Sequence, residues 1–214
     1  MLLSNLEFGS YLSYTPRGKT DIAISSKNIT YNLKNEKSIG NPPKFMSQLV
    51  AENIKKDIDK LPFKNFFHKR VHLVPVPKSS LIKANSLWVP ELIAKALSRQ
   101  EMGIFYPCLN RKIAIQKAAY SRSSDRPKAI DHFNSLECQK TNEAPEEILL
   151  IDDVITSGSA LLGSASFLNK CFPNIPIKGF AVIRTISEPD NFIKILDSCV
   201  GTITYYGDLT YRIP

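Results

Sequence analysis

From about residue 71 onward, short β-branched runs alternate with stretches of helical period, the pattern of βαβ units that build a parallel sheet. Residues 71–76, Val-His-Leu-Val-Pro-Val, predict a buried strand that Pro77 stops. Residues 87–99 follow with Leu87, Leu92, Ile93, Ala96 and Leu97 at helical spacing, and Pro90 fits only the first turn of that helix. Apolar runs predict further strands at 104–106, 148–151 and 177–183, with a helix over 159–171 between the last two. Upstream, Met46, Leu49, Val50, Ile54, Ile58 and Leu61 recur every three or four residues. They predict an amphipathic helix that begins near Pro42-Pro43 and packs on the sheet.

The chain ends read differently. The first forty residues mix short apolar stretches with Gly, Ser and Asn, and residues 201–211 look like a strand rich in Thr and Tyr. The expected division is an N-terminal segment (1–40) forming a hood or edge strands, an α/β core (41–190), and a C-terminal strand region (191–214) that joins the hood. Residues 111–131 are polar, basic and weakly periodic, as expected of a long mobile loop able to act as a lid.

Composition narrows the function classes. With 214 residues, 43% hydrophobic and 22% charged, the chain can bury a core without metals or disulfides, and no apolar run is long enough to span a bilayer. The N-terminus lacks a basic leader followed by an apolar stretch, so a cytoplasmic protein is expected. Cys108, Cys138, Cys171 and Cys199 lie far apart with no Cys-x-x-Cys, which predicts free, mostly buried thiols and no zinc site. The net charge of +8 is spread along the chain, suiting a polyphosphate ligand better than a nucleic acid, which is not expected as a partner. Trp88 reads as core, Tyr205 and Tyr206 as strand residues, and His68, His72 and His132 as surface or packing histidines.

The strongest chemical signal is residues 148–159, Ile-Leu-Leu-Ile-Asp-Asp-Val-Ile-Thr-Ser-Gly-Ser. A hydrophobic strand delivers two carboxylates, and a Thr-Ser-Gly-Ser turn then opens into an apolar helix. Parallel sheets bind ligands beyond the carboxyl ends of their strands, and amides at a helix start attract phosphate. Thr156, Ser157 and Ser159 add hydroxyl donors, Gly158 permits a close backbone approach, and Asp152 and Asp153 suit sugar hydroxyls. The same residues would also serve as a plain helix N-cap beside two solvated acids.

This segment resembles the binding motif for 5-phosphoribosyl 1-diphosphate (PRPP) of type I phosphoribosyltransferases. The resemblance extends over about two thirds of the chain to the ComF-like branch of predicted amidophosphoribosyltransferases, through residues 73–80 and 116–133. It implies a Rossmann-like parallel sheet flanked by helices, with a small hood from the chain ends. It also implies that Asp152 and Asp153 hold the ribose hydroxyls, and touch Mg²⁺ only indirectly through PRPP, while residues 156–159 hold the 5-phosphate. Two departures stand out. Ala160 occupies a position where the motif usually carries a hydroxyl, and the cysteine-rich zinc module of many ComF proteins is absent from this sequence.

The resemblance puts the diphosphate at Lys78, Ser79 and Ser80, just after the strand at 71–76, with Lys78 as its cation. In the lid, Gln116, Lys117, Arg122 and Arg126 are candidates to close on the diphosphate, and Arg184-Thr185-Ile186 falls near the expected acceptor. The expected reaction is Mg²⁺-dependent transfer of a phosphoribosyl group to an unidentified nitrogenous base or amine with release of pyrophosphate. Asp152, Asp153 and Lys78 are its catalytic candidates. An oxocarbenium-like ribose needs no protein nucleophile. A non-catalytic PRPP or nucleotide sensor on the same fold is the alternative, followed by a ComF-like competence or DNA-associated protein. Whether the chain forms a homodimer is left open.

Overall fold

A seven-stranded sheet organises the protein, whose computed structural model describes residues 1–81, 86–116, 126–139 and 144–214. Five strands run parallel: β1 (Asn5–Tyr14), β4 (His72–Pro75), β5 (Ile104–Phe105), β8 (Ile148–Ile155) and β9 (Ile177–Thr185). The antiparallel ribbon β10 (Cys199–Tyr206) and β11 (Leu209–Ile213) extends one edge, giving the order β11-β10-β1-β9-β8-β4-β5. Two small pairs stand outside it, β2 (Ser38–Ile39) with β3 (Lys44–Phe45), and β6 (Leu109–Arg111) with β7 (Leu136–Cys138). The helices are α1 (Asp21–Lys34), α2 (Met46–Asp57), α3 (Val89–Arg99), α4 (Ala129–Asn134) and α5 (Ser159–Cys171). The expected α/β class with a mostly parallel, helix-flanked sheet is therefore present.

The period-2 alternation of the buried strands builds two cores. Leu73, Leu149, Ile151, Phe180 and Val182 share one cluster with α2 and α3 residues such as Ile54, Ile93 and Leu97. Val74, Ile148, Leu150 and Ala181 belong to a second, with Leu161, Leu162, Ala165 and Leu168 of α5. Each face of the sheet thus carries its own layer, which is why the strands read as continuous apolar runs. Trp88 is buried as expected, its Nε1 donating to the Val76 carbonyl at 2.8 Å.

The chain ends depart from expectation. Residues 1–40 supply an interior strand and a helix: β1 lies between β10 and β9, so it is not an edge strand. Helix α1 went unread because its buried face is Ala23, Ser26, Thr30 and Leu33, while Ile22 and Ile24 are exposed. The helix closes its polar groups internally. Thr20 caps it by accepting from the Ala23 amide at 3.3 Å, and Thr30 Oγ1 donates to the Ser26 carbonyl at 2.8 Å. The single strand expected over 201–211 is two, joined at Gly207-Asp208, both at positive φ as a two-residue hairpin turn requires. Helix α2 starts at Met46 and not near Pro42-Pro43, because those prolines fall in the connection between β2 and β3.

The loop expected over 111–131 is shorter than foreseen, since Arg111 ends β6 and Ala129 begins α4; residues 117–125 lie outside the described residues. Of the free cysteines, Cys108 is buried and the other three are partly exposed. No helix among the described residues is long and apolar enough to cross a membrane.

Candidate functional site

Strand β8 runs four residues further than its apolar core, so Asp152 and Asp153 lie within the strand and not at its end. Side chains alternate across the sheet, and the two carboxyl groups part company. Asp152 lines a cavity of about 460 Å³ at the carboxyl edge of the sheet; Asp153 is not among the lining residues. The Asp153 amide donates to Asp152 Oδ1 at 2.9 Å, and the Val154 amide donates to Asp153 Oδ1 at 2.8 Å. Burial holds the Asp152 carboxyl well above the usual carboxylate range, the Asp153 charge adds to that, and the Lys34 charge works against it. Asp152 is thus biased toward the neutral acid, which can both donate to and accept from a sugar hydroxyl.

Thr156, Ser157, Gly158 and Ser159 line the same cavity, as do Ala160 and Leu161 in the first turn of α5. Gly158 takes φ 88°, and a Cβ there would come 2.7 Å from Ile203 Cγ1. Glycine is therefore needed for the left-handed turn and for packing against β10. A chain of hydroxyls crosses the loop: Ser157 Oγ lies 3.0 Å from Ser159 Oγ, which lies 2.8 Å from Thr210 Oγ1 of β11. Thr156 Oγ1 lies 3.2 Å from Thr185 Oγ1 at the end of β9. The thirteen-residue α5 points its N-terminus into this cup, where its first-turn amides and dipole favour an anion.

The other expected residues divide. Arg126 lines the cavity, while Lys117 and Arg122 lie outside the described residues. Lys78, Ser79 and Ser80 are not among the lining residues. The Lys78 ammonium donates to Ser86 Oγ at 2.7 Å and to the Leu87 carbonyl at 3.4 Å, which draws it toward the start of α3. Thr185 lines the cavity, but Arg184 is buried beside it and pairs with Asp197 through both the carboxylate and the backbone carbonyl.

Several residues at the site carry no local sequence signal. Tyr14 and Arg17 reach the cavity from the end of β1, and Lys34 from the end of α1. His132, expected as a surface or packing histidine, lines it from α4. Its Nδ1 lies 3.4 Å from Arg111 Nη2, and burial together with the Arg111 charge lowers its pKa to about 3, so the ring is neutral. Arg111 is itself buried, which lowers its pKa to about 10. It donates to the carbonyls of Lys78 at 2.7 Å and Pro77 at 3.0 Å, and also to Ser135 Oγ, tying the turn after β4 to the β6–β7 pair. Arg212 of β11 supports the cup from beneath, donating to the carbonyls of Thr156 at 2.7 Å and Thr185 at 2.6 Å.

The cavity therefore combines a hydroxyl-lined helix N-terminus, one buried carboxyl group able to meet a hydroxyl, and three lining cations, Arg17, Lys34 and Arg126. Among the described residues, no group of three or more His, Cys, Asp or Glu side chains is arranged to hold a metal ion. No protein-family model matches the sequence, and no curated protein matches it.

Proposed function

We propose that the protein is a phosphoribosyltransferase of the type I fold that binds PRPP in this cavity and transfers its phosphoribosyl group to a nitrogenous acceptor. One observation carries the reading. A buried acid on a central parallel strand and a hydroxyl-rich helix N-terminus, separated by three residues, line one cavity. A ribose 5-phosphate offers the complementary pair of groups, hydroxyls at one end and a dianion at the other.

In the proposed reaction the bond from the anomeric carbon to the diphosphate oxygen breaks, and both electrons leave on the diphosphate. The acceptor nitrogen's lone pair forms the new carbon–nitrogen bond, and any proton on that nitrogen goes to solvent. The ring passes through a cationic state that needs no protein nucleophile. With Asp152 biased to its neutral form, its part in this reading is to orient the ribose hydroxyls.

Magnesium enters the proposal as part of the Mg²⁺–PRPP substrate. Burial biases Asp152 toward its neutral form, so it would meet a ribose hydroxyl, and Mg²⁺ would arrive with PRPP and supply charge neutralisation on its diphosphate side. The sensor reading keeps one specific support: the Lys78 ammonium, the expected diphosphate cation, is held by Ser86 and Leu87 away from the cavity. Pyrophosphate release from PRPP on addition of bases, amines or ammonia separates the two. Release supports transfer, and Mg²⁺-dependent binding with no release from any acceptor supports a sensor.

A further inference from the structure

The cavity extends from the cup at the start of α5 to residues at the ends of β9, β1 and α1. The sheet order β1-β9-β8-β4 puts the end of β4, with the Pro77-Lys78 turn, on one side of β8, and the ends of β9 and β1 on the other. With the diphosphate assigned to the β4 side, the group that receives the sugar falls on the β9–β1 side. On that side the lining residues are Tyr14, Arg17, Thr185 and Ser187, and Lys34 joins them from the end of α1, which packs on β1.

Its chemistry is specific. Tyr14 is a half-buried aromatic residue at the end of β1, and its carbonyl accepts from the Ile186 amide at 2.8 Å, which fixes the two strand ends together. Arg17 and Lys34 are exposed cations, and among the described residues neither forms an ion pair. Asp152 is the one acid among the described lining residues, against the cations Arg17, Lys34 and Arg126, so the lining carries an excess of positive charge. An aromatic ring and two cationic donors without ion-pair partners, lining one cavity, favour a planar ring that carries an anionic group, because a carboxylate gains charge-assisted hydrogen bonds an uncharged amide cannot match.

We infer that the acceptor is an aromatic nitrogenous compound bearing a carboxylate, which Arg17 and Lys34 hold against Tyr14. The inference rests on the ribose-phosphate reading of the cavity. The carboxylate is not consumed in the transfer; it orients the nitrogen toward the anomeric carbon and selects against uncharged analogues.

The test uses the full chain and matched probes. PRPP with Mg²⁺ is first titrated into the wild type, and absence of binding there brings down the site reading itself. The PRPP-saturated protein is then titrated with nicotinate against nicotinamide, orotate against uracil, and anthranilate against aniline, with pyrophosphate release followed in parallel. In at least one pair the carboxylate is expected to bind about tenfold tighter or better. The Arg17→Ala/Lys34→Met double variant is expected to lose that margin. PRPP binding with no pair separated, or a margin that survives in the double variant, overturns the inference and leaves the PRPP site standing.

Discussion

Arg212 Nε donates to the carbonyl oxygen of Thr156 at 2.7 Å, so a strand near the C-terminus fastens the anion cup 56 residues before it. The same guanidinium reaches the Thr185 carbonyl at 2.6 Å and stands 5.8 Å above the ring of Phe8. By turning two carbonyls toward itself, it fixes how the 156–158 turn presents its amides and hydroxyls. Arg212→Ala is expected to weaken PRPP binding about tenfold, the loss of hydrogen bonds from a charged group, and Arg212→Lys to restore part of it. Calorimetry on the three proteins checks this. Equal affinities would remove Arg212 from the account.

Gly158 takes a left-handed φ of 88° with Ile203 packed against its α-carbon. A Cβ there meets both backbone strain and an overpacked contact, so Gly158→Ala is expected to cost about 2–4 kcal/mol. Urea unfolding measures the loss. The Gly158→Ala/Ile203→Val double variant should recover part of it, because the smaller side chain relieves the contact but not the dihedral.

His132 makes acid stability a test of the cavity wall. Its half-buried ring lies beside Arg111, and desolvation together with the Arg111 charge lowers its pKa to about 3, against 6.5 for the unfolded residue. As pH falls below 6.5 the unfolded chain is protonated first, so this residue withdraws stability at up to about 1.4 kcal/mol per pH unit until the folded form titrates. His132→Gln is expected to flatten the dependence of the urea midpoint between pH 6.5 and 4. An unchanged slope would show that desolvation and the Arg111 charge do not hold the ring neutral.

Asp152 acts with the opposite sign. Its folded-state pKa lies above the unfolded value, so its contribution to stability is lost as pH rises from about 4 through the folded pKa. Asp152→Asn removes that loss and is expected to raise the urea midpoint at pH 8 relative to wild type, while weakening PRPP binding by replacing the group that the proposed reading assigns to the ribose. A lower midpoint with an unaltered pH slope would contradict the burial-driven shift.

How far the sequence foretold this arrangement depends on how local each feature is. Residues 159–171 were predicted as a helix and form α5 with those limits, because an apolar period and the Thr-Ser-Gly-Ser turn mark its start. The apolar core of β8 was legible in the same way, and the turn with Asp152 lies beside it in the chain. The place of β1 between β10 and β9 is a matter of sheet order, which no short-range pattern encodes. Arg17, Lys34 and Arg212 inherit that difficulty, since each arrives at the cavity or its floor from a distant stretch of chain. Helix α1 was hidden for another reason, its buried face of Ala23, Ser26 and Thr30, whose small or hydroxyl side chains do not register as an apolar stripe. Lys78 marks the limit of motif reasoning, because position after β4 was legible while the hydrogen bond that turns its ammonium toward Ser86 was not.

The central claim is that this cavity binds PRPP, and isothermal titration of PRPP with and without Mg²⁺ tests it most directly, on wild type, on Ser159→Ala and on Asp153→Asn. The account predicts one site per chain on wild type that Mg²⁺ strengthens. Ser159→Ala should weaken it about tenfold through the broken hydroxyl chain to Thr210. Because Asp153 is not among the residues lining the cavity, Asp153→Asn should cost less than Asp152→Asn. No binding to wild type at millimolar PRPP, with or without Mg²⁺, would contradict the account.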